Sequence, residues 1–307
     1  MILFLDILII LTCIAGLWVG ANWLVDGSVS IAKKIGISEL VIGLTIVSMG
    51  TSAPEFAVSI LSALKGHANI SVANVVGSNI FNLGFILGGV ALIRPVITSR
   101  TIVKRDGSVL IFSTFLLLLF FQDLHLSSTE GLLLIGLLIC YLLSLFYFRD
   151  SDSDETAPGT FNWYQPFKLI TGLAAIILSS HFMVDSAITI ARFFDISEWV
   201  IGVTIIALGT SLPEISTSLV ALLRGHHGLS AGNLIGSDIF NLLGVLGFAG
   251  ALQSLTVSPA AYSSLFLLCG MVVIVVIMMR TGWRISRLEG GILLCIGISR
   301  WIMDFTR

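Results

Sequence analysis

Two glutamates stand where a hydrocarbon-rich sequence should not carry charge. Glu55 closes the motif Gly50-Thr51-Ser52-Ala53-Pro54-Glu55, and Glu214 closes Gly209-Thr210-Ser211-Leu212-Pro213-Glu214. Each motif interrupts a long apolar stretch. An ionised carboxylate at membrane depth is costly, so such a residue faces a polar interior and as a rule marks an ion path. Two like charges brought face to face need a cation between them, or one of them must take a proton.

The neighbours of each glutamate suit the same chemistry. Pro54 and Pro213 lack an N–H, which removes the helical partner of the Gly50 and Gly209 carbonyls and predicts a break or kink. Freed carbonyls at that depth are tolerated only where they meet protein or a cavity. Ser52 and Ser59 lie three before and four after Glu55, on its helical face, and Ser211 and Ser218 repeat this around Glu214. The next apolar segment carries Asn74, Ser78 and Asn82 four residues apart, copied by Asn233, Ser237 and Asn241. Carboxylate, carbonyl, hydroxyl and amide oxygens are the ligands of hard cations, and Ca²⁺ takes six to eight of them. No His or Cys stands in either motif, which disfavours zinc or copper. For Ser59, Ser218, Asn74 and Asn233, hydrogen bonding between helices remains open beside ion binding.

Other polar residues read more plainly. Asp26 and Asp185 sit near predicted span ends, as interfacial or capping groups, and His67, His226 and His227 read as solvated loop histidines. Cys13, Cys140, Cys269 and Cys295 are scattered through apolar segments. They read as small buried residues, with neither metal-ligand nor disulfide spacing. No protease motif such as H-E-x-x-H occurs, and no basic stripe suits nucleic acid, so the chain reads as neither an enzyme nor a nucleic-acid binder.

The elements that must hold these residues repeat. Val41 to Gly66 matches Val200 to Gly225 at half of its positions, at a constant offset of 159. Ile70 to Gly89 matches Leu229 to Phe248 at the same offset. The 307 residues are 56% hydrophobic and 11% charged, with a mean hydropathy of +1.03. A soluble domain could not cover that much apolar surface. Met1 to Leu11 lacks a basic region, carries Asp6 and reads as the first span rather than a signal peptide.

Apolar blocks near 2–24, 39–64, 70–93, 108–122 and 130–148, then 167–188, 199–223, 229–252, 262–280 and 289–304, give five spans per half. The fourth extends back toward Lys104. The expected fold is an all-α polytopic membrane protein, with ten transmembrane helices as two inverted five-helix repeats. Residues 1–148 form the first repeat, 149–166 an acidic linker that reads as solvated, and 167–307 the second repeat. Five is odd, so the second unit enters the membrane from the opposite side. Of the 16 Lys and Arg residues, all but Lys65, Arg192, Arg300 and Arg307 fall on one set of alternating loops, which the positive-inside rule makes cytoplasmic. Both termini then face outward and the linker inward.

At this point the chain resembles the sodium/calcium exchanger superfamily in its short prokaryotic form, over nearly its whole length. The resemblance rests on GTSAPE and GTSLPE followed by GSNIFN and GSDIFN, one set per half. It implies that Glu55 and Glu214 ligate Ca²⁺ and also serve Na⁺, with the carbonyls at Thr51 and Thr210 completing the calcium site. It implies sodium sites that also use the hydroxyls of Ser52, Ser78, Ser211 and Ser237 and the carbonyls at Ser48 and Ala207. It places Asn82 at the centre, and makes the first span of each half a sliding gate. Ca²⁺ and Na⁺ would be transported ions, with no organic cofactor and no obligate protein partner, in a bilayer that is a prokaryotic plasma membrane. One departure stands out. Many exchangers carry an acid where this chain has Asn241, whereas here Asp238, opposite Asn79 in the first repeat, lies three residues earlier at the edge of the site. Two carboxylates balance one Ca²⁺ or two Na⁺, which leaves Na⁺ and H⁺ both open as the counter-ion.

Overall fold

The computed structural model describes residues 2–147, 163–195 and 207–305. The acidic linker, apart from residues 163–166, and residues 196–206 at the start of the seventh predicted span lie outside them.

The fold is all-helical. Helix α1 is Ile2–Ile35. Helix α2 is broken into Glu39–Thr51 and Ala53–Leu64, bent by 50°. Helix α3 is Ala68–Ile93. A π-helical turn, Ile102–Asp106, leads into α4, Gly107–Phe120, and α5 is Ser128–Tyr147. In the second half, α6 is Gln165–Phe193. Helix α7 comprises Ala207–Thr210 and Leu212–Leu223, and α8 is His227–Leu252. Helices α9, Pro259–Arg280, and α10, Arg287–Phe305, complete the chain. Among the described residues, six of these helices are long and apolar enough to cross a membrane, or seven with the bent pair counted as one span.

The halves touch reciprocally, as a two-fold relation requires: where one element meets a second, their counterparts meet in exchange. Strand β1, Val96–Ile97, pairs with β4, Arg284–Ile285, and β2, His125–Leu126, pairs with β3, Leu255–Thr256, both antiparallel. The offset of 159 carries β1 onto β3 and β2 onto β4. It also carries Gly131 on α5, which abuts Gly247 and Gly250 of α8, onto Gly290 on α10, which abuts Gly88 of α3. Small residues at these crossings let helix backbones approach closely. Gly66 (φ 79°) and Gly225 (φ 85°) close the second halves of α2 and α7 in the left-handed conformation that favours glycine.

Several details differ from expectation. Helix α1 runs to Ile35 rather than stopping near 24, because no proline interrupts it before Gly36 (φ 72°). Asp26 therefore lies within the helix, where Lys168 and Arg224 neutralise it, instead of capping an end. Cys13 and Cys269 are buried, but Cys140 and Cys295 are exposed on helix surfaces, where a small apolar thiol meets lipid without penalty. His226 is not a free loop side chain: its Nδ1 lies 3.0 Å from both carboxylate oxygens of Glu39.

Helices α3 and α8 run through the centre, with α8 the most enclosed. Helices α1 and α6 lie side by side along their length at the periphery. Glu55, Glu214, Asn82, Asn233 and Asn241 are buried, and Asn74 is half-buried.

Candidate functional site

The site begins with two helix breaks. Ser52 (φ −80°, ψ 10°) ends the first part of α2, and Ser211 (φ −92°, ψ 5°) does the same in α7. Pro54 and Pro213 then fall in the first turns of Ala53–Leu64 and Leu212–Leu223, where a missing N–H costs nothing. Glu55 and Glu214 occupy those same first turns. The positive end of each half-helix dipole therefore lies at a carboxylate. The predicted kink exists, and it sets the two acids at facing helix termini.

Both acids are 1% exposed. Each is held by the opposite repeat. Ser52 Oγ donates to Glu214 Oε1 at 2.9 Å, and Ser211 Oγ donates to Glu55 Oε1 at 3.3 Å. Ser237 Oγ also reaches Glu214 Oε1, at 3.4 Å. The second oxygens, Glu55 Oε2 and Glu214 Oε2, are buried and meet no donor among the described residues. A buried carboxylate oxygen without a donor is expensive unless something positive fills the space.

The amides and hydroxyls divide between this cluster and the helix contacts around it. Thr51 Oγ1 donates to Asn233 Oδ1 at 3.1 Å and lies 3.4 Å from Ser237 Oγ. The Ser48 carbonyl receives Thr51 Oγ1 at 3.2 Å and Ser237 Oγ at 3.5 Å. The Ser78 hydroxyl donates to the Asn74 carbonyl, 2.8 Å away on its own helix, and keeps its lone pairs as acceptors. Asn74 and Ser59 tie α3 to α2, with Asn74 Nδ2 donating to Ser59 Oγ at 2.9 Å. Asn233 and Ser218 tie α8 to α7 by the same bond at the same distance. For these four residues the helix-bridging reading is the one the geometry satisfies. Thr210 is half-buried, and of Ala207 only the backbone is described.

Asn82 and Asn241 stand where α3 and α8 change to a π-helical turn, within Asn82–Ile86 and Phe240–Val245. Such turns are frequent at functional sites. Asn82 Nδ2 donates to Asp238 Oδ1 at 2.9 Å, and Asn241 Nδ2 donates to Asn79 Oδ1 at 3.1 Å. Asp238 is thus central and fully buried rather than at the edge of the site. The helical-stripe reading missed Asn79, because that stripe follows positions 74, 78 and 82 while Asn79 faces α8. Its signal was the pairing of Asn79 with Asp238 across the repeat.

The donor set is oxygen throughout. Among the described residues no group of three or more His, Cys, Asp or Glu could hold a metal ion. Replacing Ser52 by Ala removes a charge-assisted bond worth about 1.5–3 kcal/mol. The expected result is a roughly ten- to hundredfold weaker apparent cation affinity, with Ser211→Ala weaker in effect because its bond is longer. Equal and unchanged affinities in concentration-dependent ion-flux assays would show that these serines carry no such load.

Comparison with known proteins agrees with this fold. The sodium/calcium exchanger protein model matches residues 5–147 and 165–297. The chain is 38% identical to CaxA of Alkalimonas amylolytica, covering 89% of this chain and 90% of that protein. It is 34% identical to the sodium/calcium exchanger MaX1 of Methanosarcina acetivorans, covering 98% of each. The structure of the sodium-calcium exchanger NCX_Mj soaked with zero Na⁺ and Ca²⁺ superposes with a TM-score of 0.87 at 30% identity, covering 99% of this chain and 100% of that one. The chain belongs to the sodium/calcium exchanger family. It is a multi-pass membrane protein of a cation/calcium antiporter class.

Proposed function

We propose that this protein exchanges Ca²⁺ for Na⁺ by alternating access. The observation that carries the reading is the pair of buried glutamates, each bonded through one oxygen to a serine of the other repeat and presenting a second oxygen without a donor. Glu55 and Glu214 are the central ligands of both ions. The carbonyls at Thr51 and Thr210 join them for Ca²⁺. Ser52, Ser211, Ser78, Ser237 and Asn82, with the carbonyls at Ser48 and Ala207, serve Na⁺. Asn241 and Asp238 complete the polar centre.

The reading takes ten spans as two inverted five-helix repeats, residues 1–148 and 167–307, joined by the linker at 149–166. Both termini are extracytoplasmic and the membrane is a prokaryotic plasma membrane. The reciprocal β1–β4 and β2–β3 ladders support the symmetry, and the basic-residue bias supports the orientation. Exchange follows from charge. An emptied site would leave two carboxylates unpaired in a low-dielectric interior, so only loaded states cross. Cytoplasmic Ca²⁺ is low, and export is the working direction.

The test is ⁴⁵Ca²⁺ uptake into proteoliposomes under an outward Na⁺ gradient or an outward H⁺ gradient, each imposed alone. Uptake driven by Na⁺ alone is the expected result. Uptake driven by H⁺ alone would make the glutamates proton carriers in a Ca²⁺/H⁺ antiporter, a reading for which the amide at Asn241 speaks.

A further inference from the structure

We propose that the groove between α9 and α10 seats one anionic phospholipid, with its phosphate on Arg287 and one acyl chain laid along α10. The groove shares no residue with the glutamate cluster, and the inference does not depend on which counter-ion the protein carries. It encloses about 830 Å³ and is walled by Leu92 of α3, Leu267 of α9, and Leu288, Ile292, Cys295 and Ile296 of α10. Arg287 and Arg300 also line it, and no acid does. Basic pockets between membrane helices suit anionic headgroups, and the apolar trough supplies the surface for a tail. Arg287 and Arg300 are thirteen residues apart on α10, roughly 20 Å along a helix. The hydrocarbon of one leaflet is about 15 Å deep, half of the core thickness, so a single acyl chain meets wall along its whole length.

The Arg287 end carries the head. Arg287 is exposed, and its Nη2 donates to the Ile93 carbonyl at 3.2 Å. That bond holds the guanidinium at the mouth and leaves further N–H groups of the fork, whose geometry matches phosphate oxygens. Arg94 follows directly on Ile93, and Arg284 lies three residues before Arg287, so positive charge accumulates at this end. The nearest acid along the helix, Glu289, is already engaged. Its Oε2 accepts from the Ser286 amide and hydroxyl at 2.7 Å each, and its Oε1 accepts from Thr281 Oγ1 at 3.0 Å. Arg300 instead ties the two helices, with Nη2 donating to Ser264 Oγ of α9 at 2.9 Å.

The other repeat shows that the fold does not demand this groove. Ser127 and Glu130 cap α5 by the same bonds that Ser286 and Glu289 make on α10, so the two helices start in register. At the offset of 159, Arg287 answers to Ser128, Gly291 to Leu132 and Arg300 to Tyr141. Tyr141 is buried and donates to Asp106 at 3.0 Å. The second repeat thus has an arginine at the mouth and a glycine in the trough where the first has a serine and a leucine. A Cβ at Gly291 would meet only Leu92 Cδ2 among the described residues, at 3.7 Å, so protein does not fill the space above it.

Two native thiols supply the probe and its control. Cys295 in the groove and Cys140 outside it are both exposed, while Cys13 and Cys269 are buried. In detergent micelles, N-ethylmaleimide labelling of both is followed by peptide mass spectrometry as phosphatidylglycerol or phosphatidylcholine is added. Phosphatidylglycerol is expected to slow labelling of Cys295 severalfold, to leave Cys140 unchanged and to raise the thermal midpoint. Phosphatidylcholine is expected to do neither. Arg287→Gln removes the charge and keeps the trough, and should abolish the protection of Cys295. Gly291→Leu fills the trough as Leu132 does in the first repeat, and should abolish the rise in thermal midpoint. Arg300→Gln should keep both effects. Equal protection by the two lipids, or equal slowing at both cysteines, would mean an unspecific lipid annulus and overturn the site. Protection kept in Arg287→Gln and lost in Arg300→Gln would overturn the placing of the head.

Discussion

Glu55→Gln and Glu214→Gln should each abolish cation-driven Ca²⁺ uptake while leaving a folded protein. The side chains are nearly isosteric, and each glutamate accepts through one oxygen, Glu55 from Ser211 and Glu214 from Ser52 and Ser237. What the amide removes is the charge. Breaking one member of a buried charge pairing costs about 3–5 kcal/mol, which corresponds to a roughly hundred-fold or greater loss of affinity. The two variants should be alike, because the reciprocal serine bonds make the two acids equivalent partners rather than a ligand and a spectator. Proteoliposome uptake beside a thermal melt separates lost binding from lost fold. Transport retained in both variants would remove the glutamates from the ion path and the exchanger mechanism with them.

The amino-acid sequence shows the parts that repeat and the parts that break. Pro54 and Pro213 mark the kinks because their chemistry admits no regular helix there, and the offset of 159 fixes which residues are counterparts. Contacts made across the pseudo-axis are harder to read. Asn79 lies off the polar stripe of its own helix, and its partner Asn241 lies 162 residues away. Asp238 looks peripheral by helical position, yet a π-helical turn beginning at Phe240 and the facing Asn82 bring it to the centre. Such turns follow from how neighbouring helices press together, not from a local residue preference. Asp26 misleads for a related reason. Charge reads as a span end only while its partners are unknown, and Arg224 is 198 positions further along the chain. The two-residue strands β1 to β4 are too short for alternation to reveal them.

Gly172→Val should cripple the protein through the α1–α6 seam rather than through the glutamate cluster. A Cβ at Gly172 would stand 2.6 Å from the Leu24 amide nitrogen and 2.7 Å from the Gly20 carbonyl oxygen, both backbone atoms of α1. Gly20 faces the same difficulty, with the Gly172 carbonyl 2.9 Å from its would-be Cβ. Neither backbone can rotate away as a side chain could, so the helices must separate along a seam that runs their whole length. Overpacking of this kind costs about 1–3 kcal/mol, and more where nothing gives. Lys168 of α6 is also ion-paired with Asp26 of α1 across that seam, so the two helices should travel as one body. The expected result is a thermal midpoint lowered by several degrees, with transport lost even where the protein remains folded. Gly136→Val on the exposed face of α5, where nothing among the described residues lies within 4 Å of the added atom, should change neither. Transport at full rate in Gly172→Val would mean that α1 and α6 move independently, and that the close seam between them is packing without a part in the cycle.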